Sequence, residues 1–343
     1  GMEVHISTQL SISNVEALRF YAQFADVVVL ARELNLNQVK DIYETILRDG
    51  IKGPSGELVR IEMFAHGALC MAISGKCYLS LQTYGPSANR GACYQLCRRG
   101  YEVTDLETGN SLNIDNKYIM SPKDLCTIEF MDKIIDAGVK VFKIEGRARS
   151  AEYVKRCAQC YRQAADAVCD GTYTPELAAS LKAELSEVFN RGFWDGYYQG
   201  ARLGEWSSVY GSSATRKKVY CGRVTNWFDR IGVAEIAVES VPLKVGAHCM
   251  ATGATTGVIE FTVNDLRVAL KPAEEAVKGV RCSVAIVPEN PGVRDGEVEI
   301  TPAPGDVSAG DSVESRAGAS VNAEGKIPVR LRRGDKIYIW EDC

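Results

Sequence analysis

Residues 59–67, VRIEMFAHG, form an apolar run that carries only a few polar side chains, a pattern typical of a buried strand. Similar strand-like runs occur at 3–10 (EVHISTQL), 26–34 (DVVVLAREL) and 139–147 (VKVFKIEGR), with helical patterns between them. Alternation of apolar strands and helices predicts a parallel sheet covered on both faces. Four such units correspond to half of a (β/α)₈ barrel, and a small doubly wound sheet is the alternative that the pattern leaves open.

In the rest of the chain the sequence pattern changes at two points. Residues 151–190 have helical periodicity, with Thr174 and Pro175 placed to begin a second helix. From about residue 217 the chain consists of short β-rich runs separated by turn residues, which predicts a small β-barrel. The predicted organisation is therefore an α/β part at 1–150, a helical segment at 151–210 and a β-barrel at 211–343, with a long excursion at 302–326.

Composition narrows the class of protein. The chain has 343 residues, 46% of them hydrophobic, and a net charge of −4, which is typical of a globular protein without general attraction to nucleic acid. The net charge does not exclude a local basic groove, because a small average can hide an uneven distribution of charge. The sequence contains neither an apolar run of about 18 residues nor a secretory signal, which predicts a cytoplasmic protein without a membrane segment. Its 12 cysteines are then expected to be reduced, so that a cysteine cluster indicates metal binding or catalysis.

Polar residues gather toward the carboxyl end of each predicted strand, where parallel α/β enzymes place their active sites. By alternation of side chains, Glu62, Phe64 and His66 are predicted to share one face of their strand. The other residues of this predicted pocket are Gln9, Arg32, Glu33, Lys143, Glu145 and Arg147. The alternative is a set of buried ion pairs, with His66 as a hydrogen-bonded structural residue. With three histidines and no G-x-S-x-G motif, a multi-histidine zinc site and a serine triad are both disfavoured.

Four cysteines lie within 28 positions on a loop rich in Gly, Ser and Asn: Cys70, Cys77, Cys93 and Cys97. Thiolates are soft ligands that suit iron–sulfur clusters or zinc, and the irregular spacing argues against a zinc ribbon. Arg90, Arg98 and Arg99 would stabilise a thiolate-rich centre or contact phosphate. Cys126 is an alternative ligand, although its helix-like surroundings predict that it packs inward. Cys157 and Cys160 form a C-x-x-C on an apolar helix face and are interpreted as core.

The stretch EMFAHGALCMAISGKCYLS (62–80) resembles the signature of the collagenase-like peptidase family of unknown catalytic type. NRGACYQLCRRGYE, KIEGRARSAEYV and NRGFWDGYY look like further segments of the same family. The resemblance implies a TIM-type barrel followed by a β-barrel like the second domain of elongation factor Tu. It also implies that the N-terminal part of the barrel is absent here. Exposed strand edges would then favour a homodimer or strand exchange.

The closest branch of that family, by the HGALC and NRGxCxxxCR patterns, resembles proteins that hydroxylate RNA bases. It implies a tRNA or other structured RNA as partner, a 4Fe-4S iron–sulfur cluster and prephenate as co-substrate. Carried over by motif, Cys70, Cys77, Cys93 and Cys97 would bind the cluster, although Leu96 stands where the family often has proline. The pocket would be lined by Glu62, His66, Glu145, Arg147, Arg32 and Gln9. The alternatives are a peptidase using Glu62 and Glu145, and an RNA-binding module with a structural metal.

Overall fold

The computed structural model describes residues 2–74, 76–85, 93–113, 121–147, 149–207, 211–288 and 330–343. It divides into two compact units, Gly1–Thr215 together with Cys343, and Arg216–Asp342. The predicted excursion at 302–326 and Arg90 lie outside the described residues. In the part of the chain that is described, none of the helices is both long and apolar enough to span a membrane.

The first unit is built on a mixed sheet of six strands. The sheet strands are β1 His5–Ile6, β2 Val27–Val29, β3 Arg60–Ala68, β6 Asp124–Cys126, β7 Val139–Ile144 and β8 Phe193–Trp194. Two further strands, β4 Glu102–Thr104 and β5 Ser111–Asn113, form a separate hairpin. The pairs β1–β2, β2–β3 and β3–β7 are parallel, which confirms the predicted parallel sheet. The pair β3–β6 is antiparallel, so the sheet is mixed at the end where β3 finishes. The strand pairing supports a mixed α/β unit, and the half-barrel stays a prediction.

Six helices pack around this sheet among the described residues. They are α1 Val15–Tyr21, α2 Leu36–Asp49, α3 Tyr78–Tyr84, α4 Met131–Asp136, α5 Ala151–Cys169 and α6 Pro175–Ser186. The predicted start of α6 is confirmed, because the Thr174 side chain accepts a hydrogen bond from the Leu177 amide. Cys157 and Cys160 are buried on α5, as predicted for core residues, and burial raises the pKa of both thiols.

Two local predictions are wrong. The strand expected at 3–10 is only two residues long and gives way to a 3₁₀ turn at Thr8–Leu10, because the Ser7 side chain accepts a hydrogen bond from the Gln9 amide and caps the turn. The helix expected at 121–138 is instead β6, a 3₁₀ turn at Ile128–Phe130 and α4. Pairing of β6 with β3 overrides the local helical pattern there, and Cys126 is buried, as predicted, but on a strand.

The predicted common face of Glu62, Phe64 and His66 is also wrong. Phe64 of β3 pairs with Lys143 of β7, and His66 pairs with the next residue of β7, Ile144. Ala65 is therefore an extra residue on β3. A β-bulge of this kind adds one residue to a strand and breaks the alternation of side chains. Glu62 and His66 consequently have different partners, as described below.

Among its described residues, the second unit has ten strands. They are β9 Arg216–Phe228, β10 Val233–Val238, β11 Leu243–Lys244, β12 His248–Gly253, β13 Gly257–Thr262, β14 Leu266–Val268, β15 Lys271–Pro272, β16 Glu275–Ala276, β17 Arg281–Ala285 and β18 Lys336–Asp342. Eight form an antiparallel sheet in the order β13-β12-β18-β9-β10-β17-β14-β15, and β11 pairs with β16. The sheet confirms the all-β prediction for this region, whereas its likeness to elongation factor Tu stays a prediction.

Candidate functional site

The loop that follows β3 and carries Cys70 and Cys77 is fastened to the end of β2. The Glu33 carboxylate accepts hydrogen bonds from the Ser74 amide at 2.8 Å and from its hydroxyl at 3.2 Å. The Ser11 hydroxyl donates to the Ser74 carbonyl, and Ser74 is fully buried. Ser74 lies between the two cysteines in sequence, so these bonds hold the cysteine loop against the strand ends. Sequence reasoning missed Ser74, because one serine in a Gly/Ser-rich loop carries no signal of its own.

Arg32, which follows β2, lies against Cys70. Its guanidinium is buried, donates to the Ala68 carbonyl at 3.4 Å and lies 4.9 Å from the centre of the Phe64 ring. Burial acts to lower the pKa of Arg32, but the charge of the Cys70 thiolate and a hydrogen bond to it outweigh burial and raise that pKa. Arg32 thus places a buried positive charge beside Cys70.

Three of the predicted ligand cysteines lie close enough to the fourth, Cys97, to act on its pKa. The pKa of Cys97 is raised first by burial and then by the charges of Cys70, Cys93 and Cys77, while Arg98 opposes the shift. All four are free thiols. The gathering of residues separated by up to 27 positions is what a shared centre requires.

The four thiols are a donor set of the kind that binds iron–sulfur clusters or zinc. Over the described ranges, the His, Cys, Asp and Glu side chains form no group of three placed to hold one metal ion.

Glu62 of β3 is linked to Arg32, and so to Cys70, through Lys143 and the Phe64 ring. Its carboxylate is buried and contacts the His5 ring Nδ1 at 2.5 Å and the Lys143 amine at 3.3 Å. The Phe64 ring lies under two cations, Lys143 at 5.4 Å and Arg32 at 4.9 Å. Hydrogen bonding to Glu62, and then to Glu3, raises the pKa of His5. Glu62 is thus a buried carboxylate with two basic partners, His5 and Lys143.

His66 lies in a different environment from Glu62. Its ring packs 5.4–5.9 Å from the rings of Tyr153, Tyr161 and Phe193, and its Nδ1 is 3.3 Å from the Tyr161 hydroxyl. The Tyr161 hydroxyl donates a hydrogen bond to the Ala65 carbonyl and accepts one from the Thr127 amide. A protonated Nδ1 of His66 donates the second hydrogen bond that this hydroxyl accepts. Burial, with a contribution from Arg149, lowers the pKa of His66 to about 3. His66 is therefore neutral at pH 7, as in the structural alternative considered from the sequence.

The remaining predicted pocket residues are more dispersed. The Glu145 side chain accepts the Arg147 amide at 2.7 Å, and the Arg147 side chain is exposed. Gly67 has φ of +108°, and a Cβ there would lie 2.5 Å from the Glu145 carbonyl oxygen, so glycine is required for this strand to pass. Gln9 is exposed in its 3₁₀ turn. Contacts among the described residues thus run from Glu62 through Lys143 and Phe64 to Arg32 and Cys70, while Gln9 and the Arg147 side chain are exposed.

The buried state of His66 leads to a prediction about acid stability. The folded pKa, about 3, lies below the ordinary value of 6.5, so the unfolded chain takes up the proton first as the pH falls. This group's contribution is complete above pH 6.5 and is lost at up to about 1.4 kcal/mol per pH unit between pH 6.5 and pH 3. Urea unfolding of His66→Gln at pH 7, 6 and 5 is expected to show a shallower loss of stability than the unsubstituted protein.

His5→Gln is the matched control for that series. Because the pKa of His5 is raised, its contribution is complete below its ordinary value of 6.5 and is lost as the pH rises through the raised value. Removing His5 should leave the slope below pH 6 unchanged. Equal slopes for His66→Gln and the unsubstituted protein would contradict the assignment of His66 as a buried neutral group.

These features define a class: an α/β protein in which the ends of parallel strands support a loop of four thiols beside a buried carboxylate. Residues 1–208 match the family described as Peptidase family U32. The chain belongs to this family, which confirms the resemblance seen in its cysteine-bearing motif.

Relatives within the family have two kinds of name. A protein of Porphyromonas gingivalis named "Collagenase" is 60% identical over 286 residues, covering 83% of this chain and 69% of that protein. The Bacillus subtilis "tRNA hydroxylation protein P1" is 33% identical, covering 66% of this chain and 52% of that protein. The Escherichia coli "23S rRNA 5-hydroxycytidine C2501 synthase" is 38% identical, covering 60% of this chain and 30% of that protein.

Proposed function

We propose that the protein is an RNA-modifying enzyme that hydroxylates a tRNA base, forming 5-hydroxyuridine, with the help of an iron–sulfur cluster. One observation carries the proposal: Cys70, Cys77 and Cys93 lie close enough to Cys97 to act on its pKa, and the buried Arg32 lies against Cys70. A peptidase has no use for four gathered free thiols. Relatives named for tRNA and rRNA hydroxylation support the choice of RNA as substrate.

The residues of the site divide the work of holding a 4Fe-4S cluster. Cys70, Cys77, Cys93 and Cys97 would be its ligands, and when bound it would supply one-electron redox chemistry. Arg32 offsets part of the thiolate charge, and the buried Phe64 ring excludes water from one side of that guanidinium. Glu62, with His5 and Lys143, is placed to accept a proton from a bound substrate. We also propose prephenate as co-substrate, on the family resemblance.

Exposed aromatic rings near the cysteines support RNA binding. Tyr84 ends α3 and Tyr94 follows Cys93, and their ring centres lie 4.6 Å apart. Both side chains are exposed by more than two fifths, and the Arg99 guanidinium lies 5.8 Å from the Tyr84 ring. Unpaired bases stack on such rings, and arginine contacts phosphate. This pair of tyrosines is therefore a suitable platform for a base held out of an RNA loop.

Tyr94→Ala is expected to weaken binding of a tRNA anticodon stem-loop. Loss of one stacked base costs about 1–3 kcal/mol, which is roughly a 5-fold to 150-fold rise in Kd. Fluorescence anisotropy with a labelled stem-loop measures the change. Phe20→Ala is the control, because Phe20 is equally exposed but lies on α1, away from the cysteine loop. If both variants bind as tightly as the unsubstituted protein, the platform is wrong.

The peptidase alternative is favoured by the 60% identity to a protein named "Collagenase". Hydrolysis by a carboxylate pair needs two carboxyl groups that share a site. Here Glu62 contacts His5 and Lys143, whereas Glu145 accepts the Arg147 amide. The two predicted members of the pair thus have separate partners among the described residues.

One experiment distinguishes the functions. Protein reconstituted anaerobically with iron and sulfide is incubated with tRNA lacking 5-hydroxyuridine and with prephenate, and nucleosides are analysed by mass spectrometry. A parallel sample is incubated with gelatin and with native collagen. The proposal predicts a new hydroxylated base that is lost in Glu62→Gln, and no cleavage. Collagen cleavage that persists in Cys70→Ala would establish the peptidase, and RNA binding without any reaction would establish the third alternative, a binding module with a structural metal.

A further inference from the structure

A group of buried arginines lies on the β6 side of the sheet, apart from the residues predicted from the sequence. Asp124 of β6 is almost fully buried, and its carboxylate accepts hydrogen bonds from Arg149 Nη2 at 3.1 Å and from Arg191 Nη1 at 3.3 Å. The side chains of Arg149 and Arg191 are only 6% and 13% exposed. One carboxylate thus serves two buried guanidinium groups.

Arg98 adds a third positive charge to this group. Within the part of the chain that is described, its Nη1 is buried without a hydrogen-bond partner, while Nη2 donates to the Leu69 carbonyl at 3.5 Å. The pKa of Arg191 is lowered to about 10, first by burial and next by the charge of Arg98, with Arg149 adding to the effect and Asp124 opposing it. Because a buried cation without a compensating partner is costly, this surplus of positive charge among the described residues favours binding of an anion.

The Phe189 ring fixes how these guanidinium groups are presented. It lies 4.0 Å from the guanidinium carbon of Arg149 and 5.0 Å from that of Arg191. Stacking on the ring occupies a face of each planar group and leaves the edges, where the N–H donors are, for hydrogen bonds. Asp124 uses some of these donors. Guanidinium N–H donors that Asp124 does not use are of the kind that bind carboxylate and phosphate groups in pairs.

We propose that Arg98, Arg149 and Arg191 form a binding site for the oxyanion of a small molecule, a carboxylate or a phosphate group. The burial of Arg149 and Arg191 favours a small ligand over the backbone of a folded RNA, whose phosphates are spread along a surface. Arg98 directly follows Cys97 and its charge acts on that thiol, so this site adjoins the cysteines. The anion titration below needs neither a bound cluster nor the reaction proposed above.

Thermal unfolding and isothermal titration calorimetry of the full chain test the site, with inorganic phosphate and malonate as the two probes at constant ionic strength. Arg98→Gln is the informative variant, since its weak bond to Leu69 is the one hydrogen bond seen for it in the described residues. Arg162→Gln is the control, because Arg162 is 80% exposed and pairs with Asp166 on the surface of α5. We expect one probe to bind with submillimolar Kd and raise the Tm, and its affinity to fall at least 10-fold in Arg98→Gln but not in Arg162→Gln.

The two probes identify the chemistry of the ligand, since preference for malonate assigns a carboxylate and preference for phosphate assigns a phosphate group. Without any anion, Arg98→Gln is expected to unfold at the same Tm as the unsubstituted protein or at a higher one, because it removes an unpaired buried charge. Absence of binding by either probe up to about 10 mM, or equal affinity in all three proteins, would overturn the proposal. Protection by an RNA oligonucleotide alone would overturn the assignment to a small molecule.

Discussion

Cys70→Ala is expected to abolish formation of a stable iron–sulfur cluster. The thiolate of Cys70 contacts Arg32 and acts on Cys97, so its loss removes one of four proposed ligands and the partner of a buried cation. After anaerobic reconstitution, the unsubstituted protein should hold about four iron atoms per chain and show iron–thiolate absorption in the visible range. The variant should hold less than half of this iron, with an altered electron paramagnetic resonance spectrum after reduction.

Cys169→Ala is the matched control, because Cys169 is an exposed free thiol at the end of α5. Cys97→Ala also removes a proposed ligand but keeps Cys70, the cysteine that contacts Arg32. Comparing the two variants separates loss of a ligand from loss of the Arg32 contact. Circular dichroism of all variants reports whether the unit stays folded. Iron content and absorption that are unchanged in both Cys70→Ala and Cys97→Ala would exclude these cysteines as ligands.

Asp124→Asn is expected to cause the largest loss of stability among these substitutions. The carboxylate is 1% exposed and holds Arg149 and Arg191, so its neutralisation leaves buried arginines without a counter-charge. Breaking a buried ion pair from one side lowers the free energy of unfolding by about 3–5 kcal/mol. Urea unfolding followed by circular dichroism measures this value, and an oxyanion that binds the arginines should restore part of it.

Asp136→Asn is the control for charge loss alone. Asp136 pairs with Lys40 at 2.8 Å, but its side chain is 72% exposed, and solvent screens the pair. This control is expected to change stability little. If Asp124→Asn is as stable as the control, Arg149 and Arg191 do not need Asp124 for stability. Their contacts with it then overstate how much positive charge is left uncompensated.

The cysteine motif and the strand patterns could be interpreted without the structure because they depend on local sequence. Apolar runs separated by helical patterns predict a parallel sheet, and β2, β3 and β7 are found in it. Cysteines grouped on one loop predict a shared centre, and the charges acting on Cys97 agree with this. Family membership follows from the same stretch, since residues 62–80 lie within the matched region.

The places where the prediction failed depend on contacts between distant residues. Nothing in VRIEMFAHG shows the bulge after Phe64, since the shift arises from pairing with β7, some 80 residues later in the sequence. Asp124 lies in a stretch with helical periodicity, and its pairing with Ala68 of β3 and Phe193 of β8 makes it part of a strand. No spacing rule could have joined it to Arg149 and Arg191.

The sequence by itself determined the class of fold, the all-β second unit and the four thiols, because periodicity and residue type act over a few neighbouring positions. The tertiary structure decided that His66 is buried and neutral, that Glu62 faces His5 and Lys143, and that two buried arginines share one carboxylate. Burial and charge balance are sums over all surrounding groups, so they exist only once distant segments have packed together.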